Sequence, residues 1–254
     1  MERGYQEYFS YRGTAMFNDE ERERKARTKI AVMKQHLGQG LGDMSVLNVG
    51  GSAGIIDNYL AQHFGSVTGI DIDEKAITHA QDNYRRDNLT FEVGDAMQLR
   101  FADDSFDVVV CSQVYEHVPD SGVMMKEIYR VLKAGGVCYF AAGNRLMWNE
   151  PHYNLPLLSV LPRPLAHLYM KAAGKGSHYY EKHLSLWGLR KLVDDFETTD
   201  YTKDIIMSPS RYHAEYMMRP GTLKSRVASV MARYFFWLVP GYIWVLQKPG
   251  ERAG

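Results

Sequence analysis

The sequence predicts an α/β chain with a mostly parallel sheet and helices on both of its faces, and three observations carry the prediction. A β-branched run, Ser45-Val46-Leu47-Asn48-Val49, enters the small-residue stretch Gly50-Gly51-Ser52-Ala53-Gly54, and an apolar periodic segment follows (Ile55, Ile56, Tyr59, Leu60, Phe64). That is the pattern of strand, tight turn and helix. Two further strand-like runs, Val67 to Asp73 and Leu89 to Ala96, carry acid at or just past their ends, which collects polar groups at one sheet edge, where ligands bind in open α/β folds. The run Val108-Val109-Val110-Cys111 is continuously apolar, as a central parallel strand covered on both faces must be.

At 254 residues and 45% hydrophobic content, the chain is long enough for one large domain. Lys+Arg and Asp+Glu both count 30, so no global basic field draws in nucleic acid, and no nucleic-acid partner is expected. Cys111 and Cys138 fall in apolar runs and read as core residues of a reduced compartment, without a disulfide framework. No metal site is expected. Met1 to Glu7 lacks the apolar core of a signal peptide, so the expected location is cytoplasmic.

Residues 1–44 read as a helical arm. Tyr5, Tyr8, Phe9, Tyr11 and Phe17 precede a charge run from Asp19 to Lys29, then Ile30, Val32, Met33 and Leu37 stop at Gly38. This predicts a helix from about Asp19 to Leu37 ended by glycine, with the charge run as its solvated face.

The first turn spells Asx-x-Gly-x-small-x-Gly through Asn48, Gly50, Ser52 and Gly54. The third glycine of a dinucleotide fingerprint is missing, which argues against a nicotinamide enzyme. Asp71 stands about 20 positions after Gly50, where an acid at the second strand end meets a ribose hydroxyl pair. Asp73 suits the cap of the next helix, which runs through Tyr84. Gly94-Asp95-Ala96 closes the third strand, and Ser112-Gln113-Val114-Tyr115-Glu116-His117-Val118 follows the fourth. A helix from Gly122 to Leu132 and a strand from Gly136 to Ala142 complete the series.

Together, residues 45–142 resemble the class I S-adenosylmethionine-dependent methyltransferases, the small-molecule type similar to the quinone-biosynthesis enzymes. The resemblance rests on the glycine turn, Gly94-Asp95-Ala96, Val114-Tyr115-Glu116-His117-Val118 and Leu132-Lys133-Ala134-Gly135-Gly136. It implies a Rossmann-like seven-stranded, mostly parallel sheet whose last strand is antiparallel, with helical insertions, and S-adenosylmethionine as cofactor. Asn48, Gly50, Ser52 and Gly54 would cradle that cofactor. Asp71 and Ile72 would meet its ribose, Asp95 and Ala96 its adenine, and Ser112 and Gln113 would flank it. The N-terminal aromatic segment would be a lid. Three positions depart from the pattern: Asn48 replaces an acid, Ser52 a glycine and Ala134 a proline. Asn48 brings no charge to pair with the cofactor's ammonium.

Residues 143–184 form an insertion at the end of the fifth strand, too apolar for disorder, which should roof the acceptor site. His152, Tyr153, His178 and Tyr179 are the candidates to touch the acceptor, with ordinary packing as the alternative; His183 adds a further imidazole. His117 is the candidate general base, or equally a residue that shapes the pocket. In residues 185–254, a helix within Leu184–Phe196, a strand from Glu197 to Ile206 and an antiparallel closing strand from Gly241 are expected. Between the last two, residues 207–240 mix Arg219, Lys224, Arg226 and Arg233 with Val227, Val230, Tyr234, Phe235 and Trp237. That composition suits an amphipathic helix on a membrane surface, inner face, or equally one packed on the domain or on a second subunit of a homodimer. The expected acceptor is a small or amphiphilic molecule such as an isoprenoid quinone, a lipid or a lipid-linked sugar. A catalytically inactive binding or scaffold protein of the same fold is the alternative. The Asn/Asp-Pro-Pro-Tyr/Phe signature of nucleic-acid methylation is absent after the fourth strand.

Overall fold

A computed structural model describes residues 17–250. Helix α1 (Asp19–Leu37) begins where the Asn18 side chain accepts from the Glu21 amide and ends at Gly38, whose φ of 86° suits glycine. The expected aromatic lid, Tyr5 to Tyr11, lies outside the described residues; Phe17 packs edge-on against His79.

Seven strands form the main sheet in the order β3-β2-β1-β4-β5-β9-β8. They are β1 (Ser45–Val49), β2 (Ser66–Asp71), β3 (Leu89–Val93), β4 (Phe106–Ser112), β5 (Leu132–Gly143), β8 (Glu197–Asp200) and β9 (Gly241–Gln247). All neighbours pair parallel except β9, which runs antiparallel to both β5 and β8. The connecting helices are α2 (Ile55–Leu60), α3 (Glu74–Asn83) and α4 (Ser121–Val131). Asp73 caps α3 and Asp120 caps α4 through side-chain oxygens on backbone amides.

Alternation along the strands sorts two cores. Leu47, Val109, Phe140 and Trp244 face Met124 and Ile128 of α4 and Leu186 and Leu189 of α6 (Leu186–Leu192). Val46, Val108, Tyr139 and Val245 face Met33 of α1, Ile56 and Leu60 of α2, and Ile205 of α7 (Thr202–Met207). Two-sided cover explains the unbroken apolar run of β4.

The C-terminal third differs from the expectation in detail. The strand from Glu197 stops at Asp200 rather than Ile206, because the Asp200 side chain accepts the Thr202 amide at 2.8 Å and turns the chain into α7. The helix expected within Leu184–Phe196 is shorter, capped by Ser185. Within residues 143–184 a two-stranded hairpin, β6 (Asn149–Glu150) with β7 (Leu155–Pro156), precedes α5 (Arg163–Ala172). Residues 207–240 contain α8 (Leu223–Tyr234). Among the described residues, no helix is long and apolar enough to cross a membrane.

Candidate active site

The C-terminal ends of β1, β2, β3 and β4 open into one cavity of about 370 Å³, the size of a small-molecule site. Gly50 shapes its floor: φ is 73°, and a Cβ there would stand 2.6 Å from Val114 Cγ2. The amides of Gly50 and Gly51 both donate to the Ile70 carbonyl, at 2.9 and 2.8 Å, which ties the turn to β2. Ser52, itself in the left-handed region at φ 58°, donates its amide to Asp71 Oδ2 at 2.8 Å. The Asp73 amide reaches Asp71 Oδ1 at 3.0 Å. Burial raises the Asp71 carboxyl above the usual range while these two amides oppose the shift. A carboxylate has about four accepting positions, so both oxygens keep capacity for a ligand. The buried Ser52 hydroxyl has no hydrogen-bond partner among the described residues.

Asn48, Ile72, Asp95, Ala96, Ser112 and Gln113 also line the cavity. Gly54 does not. Its φ of 82° starts α2, and a Cβ there would meet Ala80 and the Phe91 ring at 2.6 and 2.9 Å, so it is a packing glycine.

The charge run of α1 is not simply a solvated face. Glu20 pairs with Arg24 and Glu23 with Arg27 in solvent, while Arg22, Lys25 and Lys29 turn into the cavity wall. Their i, i+3, i+7 spacing puts them on one helical face, continuous with buried Ala26, Ile30 and Met33. Burial, then the neighbouring Arg22 and Lys25 charges, pushes Lys29 down to about 7. The spacing was legible in the sequence, but a run of mixed charges masks it.

Asn48 has a carboxylate after all, from elsewhere. Its Nδ2 donates to Asp57 Oδ1 at 2.9 Å, and Asp57 lies fully buried beneath the glycine turn. Cβ atoms built on Gly51 and Gly69 would stand 2.9 and 2.6 Å from its oxygens. Burial pushes the Asp57 carboxyl up to about 7 against the Asn48 hydrogen bond. In the sequence Asp57 looks like an ordinary first-turn helix acid.

His117, Pro151 and His152 close the other end of the cavity. Tyr115 holds this end together: its hydroxyl donates to the Gly143 carbonyl at 2.5 Å and accepts the Leu184 amide at 3.0 Å. The Lys182 amide donates to the Glu116 carbonyl at 2.8 Å, laying Glu181–His183 against Glu116–His117. His117 Nδ1 stands 3.9 Å from Glu181 Oε1. Burial, then the neighbouring His152 and His183, pushes His117 down to about 3, so its imidazole is neutral at pH 7. His152 Nδ1 lies 2.5 Å from Glu150 Oε1. Burial opposes the Glu150 charge, yet hydrogen bonds from His152 and His183 hold its carboxyl near 2.

The other three acceptor candidates stand apart from the cavity lining. Tyr179 is buried with Leu158, Ala166 and Met170 in a small core of the insertion, where Tyr153 packs on it with ring centroids 5.8 Å apart. His178 is exposed and faces His167. Sequence reasoning missed Glu150 and Glu181, since isolated glutamates carry no spacing signal.

Comparison with known proteins agrees with this architecture. Residues 47–140 match the family model described as a methyltransferase domain. The ubiquinone biosynthesis O-methyltransferase of Pseudomonas fluorescens is 30% identical over 148 residues, which cover 57% of this chain and 60% of that protein. The chain thus spans about three fifths of the length of the curated relatives it matches. The chain solved with the Trm112 methyltransferase activator of Haloferax volcanii shares the fold with a TM-score of 0.59 at 19% identity, over 98% of both chains. A Haemonchus contortus phosphoethanolamine N-methyltransferase, solved with phosphomonomethylethanolamine and S-adenosylhomocysteine, gives a TM-score of 0.53 at 18% identity, over 87% of this chain and 52% of that one. With the motif series, the sheet order and the family match in agreement, residues 47–140 carry a methyltransferase domain, and the chain shares the fold of the solved S-adenosylmethionine-dependent methyltransferases.

Proposed function

We propose that the protein transfers a methyl group from S-adenosylmethionine to a small or amphiphilic acceptor. The observation that carries this reading is one cavity lined at one end by Asp71 and Asp95 and at the other by His117 and His152. The residues present fit the cofactor's chemistry: a buried, unpartnered Ser52 hydroxyl, two strand-end carboxylates, and three cations of α1 for a carboxylate. Bound there, the cofactor supplies an electrophilic methyl group on a sulfonium, displaced in line.

The chain's own part is alignment and exclusion of water. Asp71 accepts from ribose hydroxyls, and Asp95 and Ala96 engage the adenine. Gly50 would let the backbone approach, Ile72 would meet the ribose beside Asp71, and Asn48, backed by Asp57, would accept from the ammonium. Ser112 and Gln113 flank the methionine end. Arg22, Lys25 and Lys29 offset the carboxylate charge. His117, a neutral imidazole with Glu181 behind it, would accept a hydrogen bond from an acceptor hydroxyl or amine and shape the pocket around it. His152 bounds the acceptor, and Tyr153, His178 and Tyr179 support the insertion that carries it.

An amphiphilic acceptor, such as an isoprenoid quinone or lipid, is supported by α8. Leu223, Val227, Val230 and Tyr234 make an exposed apolar stripe along it, flanked by Lys224, Arg226 and Arg233, with no acid in the helix. Helix α8 would rest on the inner membrane face while the domain stays cytoplasmic.

Calorimetric titration with S-adenosylmethionine and S-adenosylhomocysteine, followed by labelled methyl transfer into lipid extracts, tests the reading. Saturable binding and a labelled lipid product are expected. A folded protein that binds neither ligand would overturn it in favour of a scaffold role.

A further inference from the structure

Behind the acceptor end of the cavity, three carboxylates and three imidazoles converge from three separate stretches of chain. Glu116 and His117 follow β4, Glu150 and His152 belong to the insertion hairpin, and Glu181 and His183 lie on the irregular segment that returns from α5 to α6. The three glutamates are each no more than 1% exposed. An ionised carboxylate buried this deeply costs several kcal/mol unless it is paired and hydrogen-bonded.

Among the described residues, Glu150 alone of the three has that support. It accepts from His152 at 2.5 Å, from the Tyr153 amide at 3.0 Å and from His183 Nε2 at 3.4 Å. Both side-chain oxygens of Glu116 and both of Glu181 are buried without a hydrogen bond among the described residues.

We propose that this cluster is a metal site that takes a divalent first-row transition ion of the Zn²⁺ or Mn²⁺ kind, ligated by Glu150, His152 and His183, with Glu116 turned toward it. The donor atoms of Glu150, His152 and His183 all lie within 4.8 Å of one another, as do those of Glu116, His117 and His152. The two sets share His152. Donors about 2.0–2.1 Å from a tetrahedral ion stand about 3.3 Å apart. The Glu150 to His183 separation of 3.4 Å already matches that spacing. Swinging the terminal oxygen of Glu150 away from His152 opens the other edge. Two imidazoles with a carboxylate suit zinc, manganese or iron; magnesium and calcium favour sites made of oxygen alone, and no thiolate is present to select copper(I).

An ion here gives the buried glutamates their missing counter-charge and fastens the insertion to the segment after β4. Because His152 also lines the cavity, a ligand position of the ion faces the acceptor, where it would hold an acceptor oxygen. That role rests on the methyl-transfer reading; the existence of the site does not.

The test uses the full chain, free of any tag, stripped with chelator and re-equilibrated with Zn²⁺ or Mn²⁺ alone. Metal content after gel filtration and the thermal midpoint are then read. One retained equivalent is expected, with a rise of several degrees in the midpoint, since an ion that binds only the native state stabilises it. Both effects should vanish in Glu150→Gln and His183→Gln and persist in His167→Ala, which removes a half-buried imidazole of α5 outside the cluster. Co²⁺ substitution should give visible d–d bands in the wild type. S-adenosylhomocysteine titration shows whether each variant is folded. If one fails to fold, the other and the wild-type stoichiometry decide. Folded wild type that retains neither ion, or an equivalent that survives both glutamine substitutions, overturns the proposal. Loss of the equivalent without loss of cofactor binding separates this site from the methyl-transfer reading.

Discussion

At the cofactor end of the cavity, Asp71 is held by two backbone amides from residues within about twenty positions of it, and the turn amides are spent on one carbonyl. At the acceptor end, Glu116 and Glu181 are buried against side chains from remote segments and find no donor among the described residues. The first arrangement is self-sufficient: short loops between adjacent parallel strands bring their own hydrogen bonds, so the site is preorganised by local structure. The second is stable only as far as the long insertion stays docked, and it holds charge that asks for a partner. One end of the cavity is common scaffold, and the other is where this chain becomes individual.

The sharpest way to break that comparison is Asp71→Ala. Loss of a charged acceptor of hydroxyl hydrogen bonds should weaken S-adenosylhomocysteine by roughly 10- to 100-fold, about 1.5–3 kcal/mol. Calorimetry should find Glu150→Gln close to wild type in the same titration. Equal losses in the two variants would mean that the ends are not separable.

Tyr115→Phe acts on the junction between them. Removing the hydroxyl that bridges Gly143 and Leu184 leaves buried backbone groups unpaired and should cost about 1–3 kcal/mol. Differential scanning calorimetry should show a midpoint lowered by about 2–4 °C per kcal/mol for a chain of this size. The insertion's hydrogen exchange should rise more than that of β1.

Asn48→Asp asks how the carboxylate under the turn is arranged. Two acids would then face each other in the interior, and cofactor affinity should fall by about 3- to 10-fold, a cost of about 1 kcal/mol. Adding Asp57→Ser, which returns the single charge to position 48, should restore it. Additive losses in the double variant would show that the two sites are uncoupled.

A further effect is a pH dependence of stability. An unfolded aspartate ionises near 3.9, by the reference value, while burial pushes native Asp57 up to about 7. Between these values the unfolded state binds fewer protons, so Asp57 contributes stability that is present below pH 4 and lost as pH rises toward 7. Urea midpoints for Asp57→Asn should decline less over that window than wild type does. An unchanged slope would place the titration elsewhere.

Much of the scaffold was legible because its signals are local. The strand, glycine turn and helix at residues 45–60 follow from backbone requirements that few residue types meet. The unbroken Val108–Cys111 run and the acids at strand ends follow from sheet cover and from helix termini. The cofactor-end lining was legible for the same reason, Gly54 excepted, since a glycine needed for helix packing and one needed for ligand approach look alike. What the charge run of α1 does was not legible, because inward Arg22, Lys25 and Lys29 alternate with outward Glu20, Glu23, Arg24 and Arg27.

By itself, then, the sequence determined the α/β class, the parallel sheet with its glycine turn, and the strand-end residues that line the cavity, because each depends on neighbours within a few turns or one βα unit. Only the tertiary structure decided that Asp57 stands beneath Asn48, that α1 turns three cations into the cavity, and that three glutamates and three histidines share one buried cluster. The last two relations join residues tens of positions apart, while Asn48 and Asp57, 9 apart, meet only because the glycine turn folds the helix back beneath the strand end; side-chain proximity of either kind is set by packing, which leaves no periodicity in the chain to read.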